Sequence, residues 1–170
     1  MPRLLLLRHA VAERARPGES DHERALTKEG RKDSAAIGRI IAERGDGIDL
    51  VLVSDSRRTR ETFEGVAPAM KETPEVRHLR SIFEADDTYI PILRKEGGEA
   101  KAILLVGHNP AIQATAVRLP VDLASRDGRA LRERFPKAAL AVLEFDGTWA
   151  TLQPRQARLV DFVVAAAGPN

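Results

Sequence analysis

Leu4-Leu5-Leu6-Leu7-Arg8-His9-Ala10 is the stretch whose reading decides the fold. Four consecutive leucines leave no polar face, so a strand made from them is buried on both sides, as in a parallel sheet covered by helices. The run stops on an arginine and a histidine, which places two cationic or nucleophilic side chains where the strand ends. By itself this leaves two readings of His9 open, a catalytic residue or a structural hydrogen-bonding one.

Similar runs recur downstream. Asp49-Leu50-Val51-Leu52-Val53 and Ala102-Ile103-Leu104-Leu105-Val106 read as buried strands, and Val76 to Leu79 as a further one. Between them lie helices. Thr27 caps one, with Glu29 in its first turn, an apolar stripe of Ala36, Ile37, Ile40 and Ile41, and a stop at Arg44-Gly45. Ser54 or Ser56 caps the next, which carries Phe63, Val66, Ala67 and Met70, with Pro68 near its end. Thr88 to Lys95 predicts a short helix with Pro91 in its first turn and Gly97-Gly98 after it, and Asn109-Pro110 opens a helix through Leu119 with Asn109 as its cap. Val11 to Arg24 lacks a period and reads as a loop over the end of the first strand. Val121 to Pro136 is loop-like, with helix around Arg129 to Arg134. Ala139 to Phe145, Asp146-Gly147 and Thr148 to Gln153 predict a hairpin, and Ala157 to Ala167 a terminal helix. Strand and helix alternate through residue 119 with no repeat or linker. The expected fold is α/β, a single domain over 1–170 with a mostly parallel central sheet, helices on both faces and a late antiparallel hairpin.

Composition narrows the function. There is no cysteine, which removes disulfides, thiolate metal sites and thiol catalysis together and suits a reducing cytoplasm, the expected location. The apolar runs are far shorter than the roughly 20 residues that cross a bilayer, so no membrane association is expected. A net charge of +2 and 4% aromatic residues argue against nucleic acid as a partner. Arginine outnumbers lysine 21 to 6. That bias suits either anionic ligands, whose oxygens match the guanidinium fork, or a solvated surface.

In open α/β sheets ligands bind outside the carboxyl ends of the strands. Arg8-His9 follows the first strand, Ser54 to Arg58 the second, and Gly107-His108-Asn109 the strand from Ala102. If those strands are neighbours, two histidines and two or more arginines converge on a pocket suited to phosphoryl transfer. His9 is the candidate nucleophile, and His108 a donor to phosphoryl oxygens beside the opening of a helix. Arg8 and Arg58 clamp the remaining oxygens, with Arg24 and Asn109 as further binding candidates. Two other classes stay open: a hydrolase using His9, His108 and nearby aspartates to hold a metal, which the absence of ligand spacing disfavours, and a phosphate-binding module without turnover.

The three motifs, R-H-A, L-V-S-D-S-R-R-T-R-E-T and V-G-H-N-P in that order, resemble the histidine phosphatase, or phosphoglycerate-mutase-like, superfamily. The short length and Ala25 to Gly30, A-L-T-K-E-G, are most similar to its small branch of SixA-like phosphohistidine phosphatases. The resemblance implies a metal-independent and cofactor-free phosphatase in which His9 is phosphorylated, Arg8 and Arg58 bind phosphate, His108 is the second catalytic histidine and Arg24 an additional arginine near the site. It implies a substrate that is a phosphohistidine protein or, alternatively, a small phosphomonoester. Larger members use a carboxylic acid after the third strand, and Glu84 in I-F-E-A-D-D is the candidate here. Ala10 stands where the family usually has glycine, a small change that excludes only positive φ.

Overall fold

A computed structural model describes residues 1–165. Six strands, β1 (Arg3–Arg8), β2 (Leu50–Ser54), β3 (Glu75–Leu79), β4 (Ala102–Gly107), β5 (Ala139–Phe145) and β6 (Ala157–Val164), form one sheet in the order β3-β2-β4-β1-β5-β6. The first four in that order run parallel, whereas β5 is antiparallel to both of its neighbours. The α/β architecture, with a mostly parallel sheet and a late antiparallel pair, is the one expected.

Alternation along each strand splits the core into two layers. Leu5 and Leu7 of β1, Val51 and Val53 of β2, and Leu104 and Val106 of β4 meet Ile37 and Ile41 of α1 (Lys28–Arg44) and Val66 of α2 (Arg57–Val66). On the opposite face Leu4, Leu6, Leu52 and Leu105 meet Leu93 of α4 (Ile90–Glu96), Ile112 of α5 (Ala111–Arg118) and Leu131 of α6 (Arg126–Glu133). Burying the four leucines of β1 contributes on the order of 6–12 kcal/mol, an upper bound set by the unfolded chain. Among the described residues no helix is long and apolar enough to cross a membrane.

α1 begins and ends as its residues dictate: the Thr27 hydroxyl accepts from the Gly30 N–H, and Gly45 closes the helix at φ 64°. Four details differ from expectation. Thr148 to Gln153 is not a strand, because after Gly147 the chain turns inward through a 3₁₀ turn (Trp149–Thr151) that buries Trp149, and its indole N–H donates to the Ala100 carbonyl at 2.7 Å. The strand that partners β5 comes later, at Ala157–Val164, where a helix was expected; Val160, Phe162, Val163 and Val164 suit a pleated surface, and pairing with β5 overrides the alanine-rich helical look. Residues 166 and 167 of that expected helix lie outside the described residues. Asn109 does not cap α5; Pro110 occupies the cap position after a cis peptide bond, and Asn109 turns toward Phe135. A short helix, α3 (Arg80–Glu84), was not anticipated.

Candidate active site

The order of the strands places the chemistry. β1 and β4 are parallel neighbours in a register that pairs Leu7 with Val106 and Arg8 with Gly107, so His9 and His108 leave the sheet side by side. The His9 N–H donates to the Gly107 carbonyl at 3.0 Å, and the two ring centroids lie 5.3 Å apart. β2, on the other side of β4, brings Ser54 to the same edge. The chain runs outward from β1 to β2 and β3, then returns to β4 and leaves in the other direction to β5, making this the point where strand order reverses.

His9 is 6% exposed. Its Nδ1 lies 2.7 Å from the Ala10 carbonyl, which can only accept, so Nδ1 carries the proton and Nε2 the lone pair. Burial holds its pKa well below 6.5, and the charges of His108, Arg58 and Arg8 act in the same direction, together outweighing the Ala10 bond. His9 is therefore a neutral imidazole at pH 7. Thr62 of α2 fixes the adjoining turn: its hydroxyl accepts from the Ala10 N–H at 3.0 Å and donates to the Arg58 carbonyl at 2.7 Å.

His108 is also neutral, since burial, and after it Arg58, lower its pKa to about 4. Its Nε2 lies 2.8 Å from the Ser54 hydroxyl. The oxygen of that hydroxyl accepts from the Ser56 N–H, and among the described residues its hydrogen has no acceptor other than His108. Ser54 thus donates to Nε2 and leaves the ring proton on Nδ1, which is buried and has no partner among the described residues. The Tyr89 hydroxyl grips the His108 backbone from both sides, accepting from its N–H at 2.9 Å and donating to its carbonyl at 3.1 Å. Gly107 makes room for this; a Cβ there would lie 2.5 Å from the Tyr89 oxygen.

Arg58, 7% exposed, is held from the loop above the strand ends. Its Nη1 donates to the Asp21 carbonyl at 2.8 Å and its Nη2 to the Asp21 carboxylate at 3.1 Å, while its Nε is buried with no partner among the described residues. Arg8 is arranged alike, with Nη1 donating to the Phe135 carbonyl at 2.9 Å and Nε buried without a partner among the described residues. Burial lowers the pKa of both guanidinium groups. The floor around His9 thus presents three N–H donors, on Arg8, Arg58 and His108, that have no partner among the described residues. Each unsatisfied buried donor costs about 1–3 kcal/mol, a cost that an anion with three peripheral oxygens offsets by accepting from all of them.

The structure brings Arg8, His9, Arg58 and His108 together, and the other candidates have partners of their own. Arg24 donates to the Glu13 carbonyl at 2.8 Å and to the Asp21 carboxylate at 3.0 Å, so it touches the cluster through Asp21. Asn109 spends its amide N–H on the Phe135 carbonyl at 3.2 Å, sharing that acceptor with Arg8. Glu84 stands on the exposed side of α3, its carboxylate 3.4 Å from Arg80 and its side chain 64% exposed; its neighbour Phe83 packs edge-on against His108 at 5.7 Å. Among the described residues no group of three or more His, Asp or Glu is placed to hold a metal ion.

Several participants are not legible as a motif. Asp21 and His22 belong to a 3₁₀ turn (Asp21–Glu23) inside the loop from Val11 to Arg24. His22 has a carboxylate on each ring nitrogen, Asp55 at 2.9 Å and Glu23 at 2.9 Å, so both nitrogens donate and its pKa is raised, first by Asp55. It also packs on Phe83, with ring centroids 4.9 Å apart. Ser54 was visible as a candidate helix cap, but its bond to His108 depends on strand order.

Comparisons with known proteins show what the chain is similar to. The sequence model described as histidine phosphatase superfamily (branch 1) matches residues 4–86. An uncharacterised protein of Mycobacterium tuberculosis is 31% identical over 166 residues, covering 93% of this chain and 99% of the relative. Two solved structures, each described as a "putative phosphohistidine phosphatase SixA", are similar throughout. The one from Agrobacterium tumefaciens is 32% identical with a TM-score of 0.77, covering 95% of this chain and 96% of that one. The one from Nakamurella multipartitia is 29% identical with a TM-score of 0.82, covering 98% and 97%.

Proposed function

The chain belongs to the histidine phosphatase superfamily (branch 1), in its SixA-like group, and from that premise we propose that this phosphatase dephosphorylates phosphohistidine in a protein, through a phosphohistidine of its own on His9 and without a metal ion. The observation that carries the reading is a neutral, Nδ1-protonated His9 near three buried N–H donors that have no partner among the described residues.

The steps follow from that arrangement. The phosphoryl oxygens accept from Arg8 Nε, Arg58 Nε and His108 Nδ1, and the Nε2 lone pair of His9 attacks phosphorus in line with the departing nitrogen. A phosphohistidine whose distal ring nitrogen is protonated leaves as neutral imidazole, while His9, keeping its Nδ1 proton, becomes the phosphorylated cation. Charge is conserved, and no proton need reach the leaving atom. Water then attacks phosphorus, its proton passes to solvent or phosphate, and His9 returns to the neutral Nδ1–H tautomer held by Ala10. An alkoxide leaving group needs an acid instead, and the candidate Glu84 is exposed and paired with Arg80. This favours N-linked substrates over phosphomonoesters.

Incubation with a 32P-labelled phosphohistidine peptide followed by rapid quenching tests the first step. The expected label is base-stable and acid-labile, and absent from His9→Ala. A base-labile, acid-stable label, or one retained in that variant, overturns it. Turnover is expected to persist in excess chelator, and its loss would contradict metal independence. In a panel with sugar and nucleotide phosphates the phosphohistidine peptide is expected to have the highest kcat/KM; a faster phosphomonoester would assign the protein that substrate class instead.

A further inference from the structure

The pocket has one carboxylate whose role the phosphoryl steps leave unexplained. Asp21 sits at the mouth, its side chain 60% exposed, with one oxygen taking the Arg24 Nη1 at 3.0 Å and the other the Arg58 Nη2 at 3.1 Å. A carboxylate offers about four lone-pair sites, so two remain. Burial raises its pKa, but hydrogen bonds and charge from Arg24 and Arg58 outweigh this and keep it ionised. Its charge also acts on His108, as does that of Asp55. The two differ in availability: Asp55, engaged by His22 at 2.9 Å and approached by Arg80 at 3.9 Å, is 29% exposed, whereas Asp21 is 60% exposed.

In-line chemistry supplies the rest. His9 is 6% exposed, so a group that leaves phosphorus for solvent departs on the side away from it, and the Asp21 side chain, bonded to Arg58, is exposed to that solvent. We propose that Asp21 is a specificity-determining residue that accepts a hydrogen bond from the distal ring N–H of the substrate phosphohistidine, holding the leaving imidazole in its cationic, cleavable form. This inference rests on the phosphohistidine reading. Before reaction the distal nitrogen bears a proton and the ring a positive charge facing the carboxylate. As the P–N bond breaks, its electron pair stays on the departing nitrogen, the distal proton stays where it is, and neutral histidine leaves. With an oxygen leaving group the same carboxylate faces developing negative charge and opposes departure. One residue thereby separates the two substrate classes.

The test compares Asp21→Asn and Asp21→Ser with wild type on a phosphohistidine peptide and on p-nitrophenyl phosphate. In either variant Arg58 keeps its bond to the Asp21 backbone carbonyl, which needs no side chain. The ratio of kcat/KM for the peptide to that for the ester is expected to fall at least tenfold. The alkaline limb of the peptide pH profile is expected to move to lower pH, with no such movement for the ester. An unchanged ratio, with both rates falling together, would reduce Asp21 to a positioning residue for Arg58 and overturn the proposal. Wild type that turns over the ester and not the peptide would instead overturn the phosphohistidine reading beneath it. Two different substitutions at an exposed turn position keep the comparison available if one of them fails to fold.

Discussion

Replacing Ser54 by alanine removes one hydroxyl that, by the geometry, decides which nitrogen of His108 carries the proton. Ser54 is fully buried, and its O–H has His108 Nε2, 2.8 Å away, as its acceptor. With alanine there the Nε2 lone pair is left buried and unsatisfied, at a cost of about 1–3 kcal/mol. At about 2.1 cal/mol/K per residue near 60 °C, the 170-residue chain has an unfolding entropy of about 0.36 kcal/mol/K, so Tm is expected to fall by about 3–8 °C. The loss in catalysis has a separate origin. Without the hydroxyl both neutral tautomers are accessible, and one of them turns a lone pair, not an N–H, toward the phosphoryl oxygens. Losing about 1.4–2.7 kcal/mol of transition-state binding lowers kcat/KM about 10- to 100-fold. Thermal denaturation and phosphohistidine-peptide turnover measure the two effects, and 15N chemical shifts of the His108 ring report the tautomer directly. A wild-type His108 protonated on Nε2, or a Ser54→Ala protein with unchanged turnover, would refute the reasoning.

Other perturbations separate the parts of the site. Arg58→Lys cannot hold both Asp21 contacts and still direct a donor inward, so kcat/KM is expected to fall about 100-fold, about 3 kcal/mol, despite the retained charge; near-wild-type turnover would show that charge alone suffices. Gly107→Ala places a methyl 2.5 Å from the buried Tyr89 oxygen and 2.9 Å from its ring carbon, and is expected to cost about 1–3 kcal/mol in urea denaturation as the grip on His108 shifts. Acid is expected to destabilise the fold through His108. Its pKa is 6.5 in the unfolded chain and about 4 when folded, so between those values the unfolded state binds more protons and stability falls as pH falls. From pH 7.5 to pH 5 this amounts to about 2 kcal/mol, to be read as the difference between wild type and His108→Asn in denaturant titrations. His9 acts in the same direction. His22, whose pKa is raised, acts oppositely, contributing below about pH 6.5 and losing that contribution as pH rises through its folded pKa.

Most of the floor of the site was legible because it is local. Each of Arg8, His9, Arg58 and His108 lies within a few residues of a buried apolar run, and such runs announce themselves in composition. The errors fall where the deciding partner is distant. Ala157–Val164 reads as helix until β5 offers it a ladder of backbone partners, and Thr148 to Gln153 reads as strand until Trp149 finds the Ala100 carbonyl 49 residues away. Likewise Asn109 looks like a helix cap, but the Phe135 carbonyl, 26 residues on, takes its amide.

The sequence by itself determined that buried parallel strands end in arginine, histidine and serine, because hydrophobic runs and the breaks after them are properties of neighbouring residues. Only the tertiary structure decided what those residues do to one another. The order β2-β4-β1 puts Ser54 on His108 and His108 beside His9, and the loop fold lays Asp21 across Arg58. Tautomer, protonation and unpaired donors all depend on burial and on atoms within about 3 Å. Those quantities exist only once segments dozens of residues apart have been packed together.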